Sequence, residues 1–283
     1  MRHVELPGGT VRLPVLGLGT WRMGESRGAR AAEIAAVRHA LELGCRLIDT
    51  AEMYGEGGAE EVVGAALADA IRAGDVRREE VVVVSKVYPH NASRQGTLAA
   101  CDRSRKRLKL DHLDLYLLHW RGAHPLRDTV AGMHGLRDAG HVRAWGVSNF
   151  DVDDLEELAG VADDCATDQV WYSLGERGPE FALLPWLQAR ALPLMAYSPL
   201  DMGQAADDET LAAIGAARGL TAAQVALAAL LAQPGVVAIP KAVGGDHLRE
   251  NLAAADVVLT DDERRRIGAR FPPPTRKSSL AMN

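Results

Sequence analysis

The sequence predicts an α/β protein in which strands and helices alternate as a closed (β/α)8 TIM barrel. Runs rich in Val, Ile and Leu alternate with segments of helical period from residue 15 to residue 255. Eight such runs occur, and their carboxyl ends lie 21 to 43 residues apart. A strand, a helix and two loops require such a length. In order the runs are VLGLGT, CRLIDT, VVVVSK, LDLYLLH, VRAWGVS, ATDQV, LPLMAYS and VVAIP.

An open, doubly wound sheet is the alternative for a chain with this alternation. The turn after the first strand, Gly17 to Arg22, reads GLGTWR and lacks the third glycine of a dinucleotide-binding fingerprint. The barrel is therefore favoured.

The segments before and after the eight units have their own signals. VELPGGTVRLP alternates around Gly8 and Gly9, which predicts a two-residue β-hairpin that caps the bottom of the barrel. Thr260 precedes acidic residues in LTDDERRRIGARF, which predicts an extra C-terminal helix. Because no linker or short-period repeat interrupts the pattern, residues 1–283 are expected to form a single barrel domain.

Composition narrows the classes of partner. The net charge is −6, and the basic residues are scattered, so a nucleic-acid or anionic-membrane surface is not expected. The start MRHVELPGG has no apolar segment typical of a signal peptide, and a cytoplasmic location is the default. Cys45, Cys101 and Cys165 are far apart, without a CxxC pair, so neither a disulfide nor a metal site is expected. Small molecules are the expected partners.

Four chemically active residues lie at or just after successive strand ends: Asp49, Tyr54, Lys86 and His119. The carboxyl ends of parallel barrel strands share one rim, where such enzymes assemble their active sites. A tyrosine that donates a proton at neutral pH needs a nearby cation to stabilise its phenolate, and Lys86 is expected to lower the pKa of Tyr54 in this way. Asp49 would hold Lys86 charged, and His119 would orient a substrate oxygen.

Each of these residues also has a structural interpretation. An aspartate at a strand end often caps the next helix, and a single tyrosine or histidine is commonly a packing residue. Lysine is more informative, because Lys86 and Lys241 both end apolar strands in a chain with only five lysines. The four residues together predict a proton donor with its tuning groups beside a bound cofactor.

The sequence motifs resemble those of the aldo-keto reductase superfamily, and the resemblance extends over nearly the whole chain. The matching segments, in order, are GCRLIDTAEMYGEGGAEEVVG, VVVVSK, LDLYLLHW, WGVSNF, Gln169-Val170, AYSPL and IPKAVGGDHLREN. Several of them look most like bacterial members that reduce methylglyoxal and other small aldehydes. The resemblance implies an NADPH-dependent carbonyl reductase with Tyr54 as general acid, Lys86 and Asp49 as its tuning pair, and His119 orienting the carbonyl.

The resemblance also implies the cofactor contacts. Gly19, Thr20 and Trp21 would lie beside the cofactor and the pocket. Ser148, Asn149 and Gln169 would bind the nicotinamide carboxamide, on whose ring Tyr197 would stack. Ser198 and Leu200 would follow at the pyrophosphate, Lys241 at the 2′-phosphate, and Glu250 and Asn251 near the adenine. Trp21, Trp120 and Tyr88 would line an open pocket that suits short aldehydes.

The adenosine end departs from the family pattern. Ala242 and Gly244 replace hydroxyl residues, and His247 replaces an arginine. Preference for NADPH over NADH is therefore expected to be weaker than in family members that have the full set of contacts, unless Arg249 substitutes for the missing charge. A monomer is the family's commonest state and is expected here.

Two other functions are compatible with parts of the pattern. A desolvated lysine in a barrel can form a Schiff base, which would make Lys86 the nucleophile of an aldolase. A regulatory subunit that binds the cofactor without turnover is the second, although no added docking segment is recognisable.

Overall fold

The computed structural model describes residues 1–282, which begin with an antiparallel hairpin of β1 (His3–Glu5) and β2 (Arg12–Pro14). The hairpin is confirmed, but its predicted two-residue turn is wrong, because residues 6–11 connect the strands through a 3-10 turn at Pro7–Gly9. Pro7 has no N–H to donate to a ladder, so pairing stops before it. Gly8 and Gly9 then take φ values of 76° and 65°.

Eight parallel strands follow within the described residues, and each pairs with the next one along the chain. They are β3 (Leu18–Gly19), β4 (Leu47–Asp49), β5 (Val82–Val87), β6 (Leu113–Leu118), β7 (Val142–Ser148), β8 (Asp168–Trp171), β9 (Leu194–Tyr197) and β10 (Val236–Ala238). Leu16 pairs in parallel with Ala238, and the Gly19 N–H donates to the carbonyl of Pro240 at 3.1 Å. These contacts join the last strand to the first, so the predicted (β/α)8 barrel is confirmed.

Helices surround the strands. They are α1 (Arg30–Glu42), α2 (Gly58–Ala73), α3 (Arg94–Leu108), α4 (Leu126–Asp138), α5 (Val152–Ala159), α6 (Leu183–Gln188), α7 (Glu209–Ala216), α8 (Ala222–Leu231), α9 (Gly245–Ala253) and α10 (Asp261–Arg270). Both α7 and α8 lie between β9 and β10, which explains why that interval is the longest. The extra helix α10 is confirmed, and the Thr260 hydroxyl caps it by accepting the Glu263 N–H at 3.2 Å.

The barrel interior changes from apolar to polar along the strands. Leu6, Val11 and Leu13 of the hairpin pack with the inward residues of the lower strands, including Leu47 and Val84, and close the bottom of the barrel as predicted. Successive inward positions lie two residues apart on a strand. Asp49 is the next inward residue after Leu47, and Lys86 is the next inward residue after Val84. The polar side chains therefore gather at the carboxyl ends of the strands.

No helix within residues 1–282 is long and apolar enough to cross a membrane.

Candidate active site

The carboxyl ends of the strands surround a cavity of about 550 Å³. Strand ends and the loops after them contribute its wall, and within residues 1–282 the C-terminal tail contributes Met282. The lining residues are Gly19, Thr20, Trp21, Arg22, Asp49, Met53, Tyr54, His119, Trp120, Asn149, Gln169, Tyr197, Ser198, Pro199, Leu200, Met202, Gly203, Ile239, Pro240, Lys241 and Met282. Most residues that the sequence nominated are among them.

Lys86 is the centre of a buried hydrogen-bond cluster. Its ammonium donates to Asp49 Oδ2 at 2.7 Å, to the carbonyl of Thr50 at 2.9 Å and to the Tyr54 hydroxyl at 3.2 Å. The lysine has no exposed surface, and it lies behind Tyr54 rather than on the cavity wall. Strand register brings Lys86 and Asp49 together. The strands β4 and β5 are neighbours, and Asp49 pairs with Val84, two residues before Lys86.

The pKa of the Lys86 ammonium is raised, although burial by itself would lower it, because attraction to Asp49 and Tyr54 outweighs desolvation. Lys86 is therefore a cation at neutral pH. That state disfavours the Schiff-base chemistry of an aldolase, which needs a neutral amine that a substrate can reach.

The pKa of the Tyr54 phenol is raised, not lowered as the sequence suggested. Desolvation is the largest cause, and the Asp49 carboxylate adds to it, while the Lys86 charge and hydrogen bond oppose both. The sequence identified the cation but not the depth of the site in the barrel. Tyr54 therefore carries its proton at neutral pH, as a proton donor must.

His119 is an uncharged imidazole. Burial holds its pKa well below the usual value, and the Lys86 cation lowers it further. Its ring lies edge-on to Tyr54 with centroids 5.7 Å apart, and both side chains line the cavity. Nδ1 is buried without a hydrogen-bond partner among residues 1–282. A neutral ring beside the phenol on the cavity wall can form a hydrogen bond to an oxygen in the cavity without carrying a charge.

The residues nominated for the nicotinamide lie on three neighbouring strand ends. Ser148 Oγ donates to the carbonyl of Gln169 at 2.7 Å, and Asn149 Nδ2 donates to Ser148 Oγ at 3.1 Å. The Tyr197 hydroxyl donates to Asn149 Oδ1 at 2.9 Å. Asn149 has a φ of 60°, a left-handed conformation that asparagine tolerates better than most residues. The structure thus joins Ser148, Asn149, Gln169 and Tyr197 in one polar network.

Gln169 connects this network to the lysine cluster. Its amide nitrogen donates to Asp49 Oδ1 at 2.8 Å, so Asp49 binds Lys86 through one oxygen and Gln169 through the other. Within the described part of the chain, no hydrogen bond uses the Gln169 amide oxygen. The geometry leaves an acceptor at the cavity next to the buried ion pair.

The predicted adenosine end lies around the N-terminus of α9. Ser198, Leu200 and Lys241 line the cavity, whereas Glu250 and Asn251 lie farther along the helix. Asn251 is buried, and Glu250 Oε2 is 3.5 Å from His247 Nδ1. Arg249 donates to Asp246 at 2.8 Å. His247 and Arg249, the two residues that could supply the missing positive charge, thus each have an acidic neighbour on α9.

The pocket wall is only partly as predicted. Trp21 and Trp120 line the cavity, while Tyr88 lies behind Trp120 with ring centroids 5.3 Å apart. The sequence analysis missed Arg22, Met53, Met202 and Met282. Met53 and Arg22 could have been found from their positions next to Tyr54 and Trp21, but nothing local marks Met202 or Met282.

The short C-terminal tail reaches the cavity and supplies Met282. Arg177 donates to the carbonyl of Phe271, Lys277 Nζ lies 3.1 Å from Asp151, and Leu280 packs against the hydrophobic core. The sequence predicted an open pocket and did not indicate that the tail would contribute to it. These tertiary contacts bring the tail to the cavity wall, where Met282 lies.

No group of His, Cys, Asp or Glu side chains in residues 1–282 could hold a metal ion. The three cysteines are unpaired in this part of the chain, and burial raises the thiol pKa to about 11 for Cys45 and about 12 for Cys101 and Cys165. Such thiols are poor nucleophiles at neutral pH.

Comparison with known proteins gives matches over nearly the whole length. The profile of the Aldo/keto reductase family matches residues 15–269. Methylglyoxal reductase YeaE of Escherichia coli is 46% identical over 281 residues, covering 97% of this chain and 96% of that protein. Glyoxal reductase of Bacillus subtilis is 37% identical over 260 residues, covering 92% of this chain and 89% of that protein.

Among solved structures, an aldo-keto reductase from Klebsiella pneumoniae in complex with NADPH superposes with a TM-score of 0.93. Its sequence is 44% identical, and the match covers 100% of both chains.

Proposed function

The chain belongs to the aldo/keto reductase family, and from that premise we propose that it reduces short aldehydes and 2-oxoaldehydes such as methylglyoxal, with NADPH as reductant and Tyr54 as proton donor. Membership makes it an NAD(P)H-dependent oxidoreductase. The observation that carries the proposal is the position of the Tyr54 hydroxyl, 3.2 Å from a buried ammonium, on a cavity wall shared with the uncharged His119.

The residues on the cavity wall fit a nicotinamide dinucleotide. The Gln169 amide oxygen can accept the carboxamide N–H with Asn149 beside it, and the Tyr197 ring can stack on the nicotinamide. Ser148 was expected to bind the carboxamide as well, but it is buried off the cavity wall with its hydroxyl bound to the Gln169 carbonyl. Lys241 supplies a cation for the phosphate at the other end. When bound, the reduced cofactor supplies a hydride to the substrate carbonyl.

Tyr54 supplies the proton in this proposal. As negative charge develops on the substrate oxygen, the phenol O–H donates its proton and becomes a phenolate beside Lys86. The ammonium, 3.2 Å away, stabilises that phenolate, and Asp49 keeps the ammonium charged and in place. His119 donates a hydrogen bond to the carbonyl oxygen and fixes its direction.

The substrate class follows from the cavity wall and from the relatives. Trp21, Trp120, Met53, Met202 and Met282 are large apolar side chains, which favour a small substrate with little charge. Two relatives at 46% and 37% identity are named for methylglyoxal and glyoxal. A short aldehyde or 2-oxoaldehyde is the substrate that agrees with both.

The proposal also includes a weak preference for NADPH over NADH as the reduced cofactor. Ala242 and Gly244 offer no hydroxyl to a 2′-phosphate, and Arg249 is bound to Asp246. Lys241 then acts without the arginine fork that is typical of strong phosphate sites. We expect NADH to be used as well, with kcat/KM ratios for NADPH and NADH as the measurement.

The remaining parts of the proposal concern the whole protein. We propose one domain over residues 1–283 and a monomeric, cytoplasmic enzyme without a nucleic-acid or membrane partner. Sedimentation of the purified protein tests the oligomeric state.

The decisive experiment replaces Tyr54 with phenylalanine. Tyr54→Phe should lower kcat for methylglyoxal by at least roughly 100-fold, the usual contribution of a general acid, while NADPH still quenches the tryptophan fluorescence as in the wild type. Equal loss of turnover and NADPH binding would argue that Tyr54 only supports the cofactor site. Full activity of the variant would exclude it as the proton donor.

A further inference from the structure

A second buried carboxylate lies two residues before Tyr54. Glu52 Oε1 accepts the backbone N–H of Tyr88 at 2.8 Å and Asn91 Nδ2 at 2.9 Å, and Oε2 accepts Arg103 at 3.2 Å. Its side chain is 7% exposed. Glu52 thus connects the segment that carries Tyr54 to the segment after β5 and to helix α3.

The segment it holds has an unfavourable backbone. Immediately after Tyr54, Gly55, Glu56 and Gly57 take φ values of 57°, 53° and 91°. Left-handed conformations, above all at a non-glycine residue, persist only where the surroundings hold them. A carboxylate that binds three donors just upstream is such a restraint, because a buried charge is costly unless it is fully hydrogen-bonded.

Both segments that Glu52 connects belong to the site. The Tyr54 hydroxyl accepts a hydrogen bond from Lys86, whose strand leads directly into Tyr88, and Tyr88 packs against the cavity residue Trp120. The backbone N–H of Glu52 also points to the carbonyl of Lys86 at 3.5 Å. A shift of the Glu52 segment would therefore change the distance from the Tyr54 hydroxyl to the Lys86 ammonium.

We propose that Glu52 is a positioning residue for the proton donor, which holds the Tyr54 hydroxyl at hydrogen-bond distance from Lys86 by fastening the Tyr54 segment to the segment after β5. This inference rests on the proposed function. Glu52 acts through position rather than charge, since the charges that shift the pKa of Tyr54 are those of Lys86 and Asp49.

The chain offers a matched control at the opposite end of the barrel. Asp114 is 2% exposed and also accepts one backbone and two side-chain donors, namely Val83 N–H at 2.9 Å, Arg78 at 2.7 Å and Arg143 at 3.1 Å. Removal of either carboxylate takes an acceptor from one backbone N–H and two side-chain donors, of which one, Arg103 for Glu52 and Arg143 for Asp114, is half-exposed. Of the two carboxylates, only Glu52 lies in the segment that carries Tyr54.

The experiment compares Glu52→Ala, Glu52→Gln and Asp114→Ala in the full-length enzyme with NADPH and methylglyoxal. Glu52→Ala should lower kcat by roughly 10- to 100-fold, as expected for a misplaced reacting group, and move the alkaline limb of the kcat–pH profile to higher pH, because the phenolate loses part of its contact with Lys86. NADPH binding should stay near that of the wild type. Glu52→Gln keeps an acceptor for Tyr88 and Asn91 and should restore most of kcat.

Asp114→Ala should lower the thermal midpoint about as much as Glu52→Ala, yet leave kcat and the pH profile of the folded enzyme unchanged. If Glu52→Ala does not fold, Glu52→Asp serves instead, since its shorter carboxylate cannot reach both segments and should shift the profile in the same direction. An unshifted alkaline limb in the Glu52 variants, or the same shift in Asp114→Ala, would overturn the positioning role. If Tyr54→Phe keeps the turnover of the wild type, the proposed function of Tyr54 as proton donor fails instead.

Discussion

Replacing Lys86 with methionine tests whether the buried ammonium stabilises the phenolate that turnover would leave on Tyr54. Methionine replaces the apolar stem of the side chain and lacks only its terminal ammonium, so it removes three hydrogen bonds, to Asp49, Thr50 and Tyr54. The variant should lose both activity and stability, and the two losses have different causes.

The loss of activity can be sized from the geometry. A full charge on the Tyr54 oxygen, 3.2 Å from the ammonium, interacts with it by about 5 kcal/mol at an effective dielectric constant near 20. If the proton is about half transferred in the transition state, about 2–3 kcal/mol is lost, which corresponds to roughly 30- to 160-fold in kcat.

The loss of stability comes from Asp49, which remains buried and, among residues 1–282, keeps only the Gln169 amide as a side-chain donor. Removing one partner of a buried ion pair costs about 3–5 kcal/mol. Adding Asp49→Asn to Lys86→Met removes the unpaired charge and should recover most of the unfolding free energy. It should not recover kcat, because the phenolate still lacks its cation.

The assay is a double-mutant cycle of the two substitutions, with urea unfolding for stability and initial rates with NADPH and methylglyoxal for activity. The reasoning is refuted if Lys86→Met retains the kcat of the wild type. It is also refuted if the double variant regains activity in parallel with stability, since Lys86 would then act only as a structural partner of Asp49.

Two further predictions concern buried ionisable groups. Burial and the nearby Asp154 and Asp151 carboxylates raise the pKa of Asp168 well above its usual value, so the folded state keeps a proton that the unfolded state releases, and stability falls as pH rises from about 4 toward the folded pKa. Asp168→Asn should remove this loss and raise the unfolding free energy at pH 8 by about 1–3 kcal/mol. Thermal melts of both proteins at pH 5 and pH 8 measure the difference. An equal gain in stability at the two pH values would contradict the linkage. The pKa of about 12 for Cys165 predicts that its thiol reacts with a disulfide reagent much more slowly than free cysteine at pH 8, which rapid labelling of the native enzyme would disprove.

The sequence predicted the barrel and its polar rim well because both depend on short-range pattern. The alternation of apolar runs with helical segments reports which residues are buried, and the period of two on a strand brings Asp49 and Lys86 to the same rim. Thr260 identified the start of α10 for a similar local reason.

Other features depend on contacts between distant residues and had no local signal. Pro7 changed the hairpin turn, and Met282 reaches the cavity only because the tail is bound by Lys277 and Arg177. In the sequence, Glu52 is a charged residue of the kind usually found on the surface. Its three hydrogen-bond donors come from residues 36 to 51 positions away.

The amino-acid sequence alone therefore determined which groups stand at the top of this barrel, since burial pattern and strand period are properties of neighbouring residues. Only the tertiary structure decided their protonation states and the shape of the space above them. A pKa depends on how much water and which charges the completed fold leaves around a group, and for Tyr54 that depth reversed the direction that its lysine neighbour suggested.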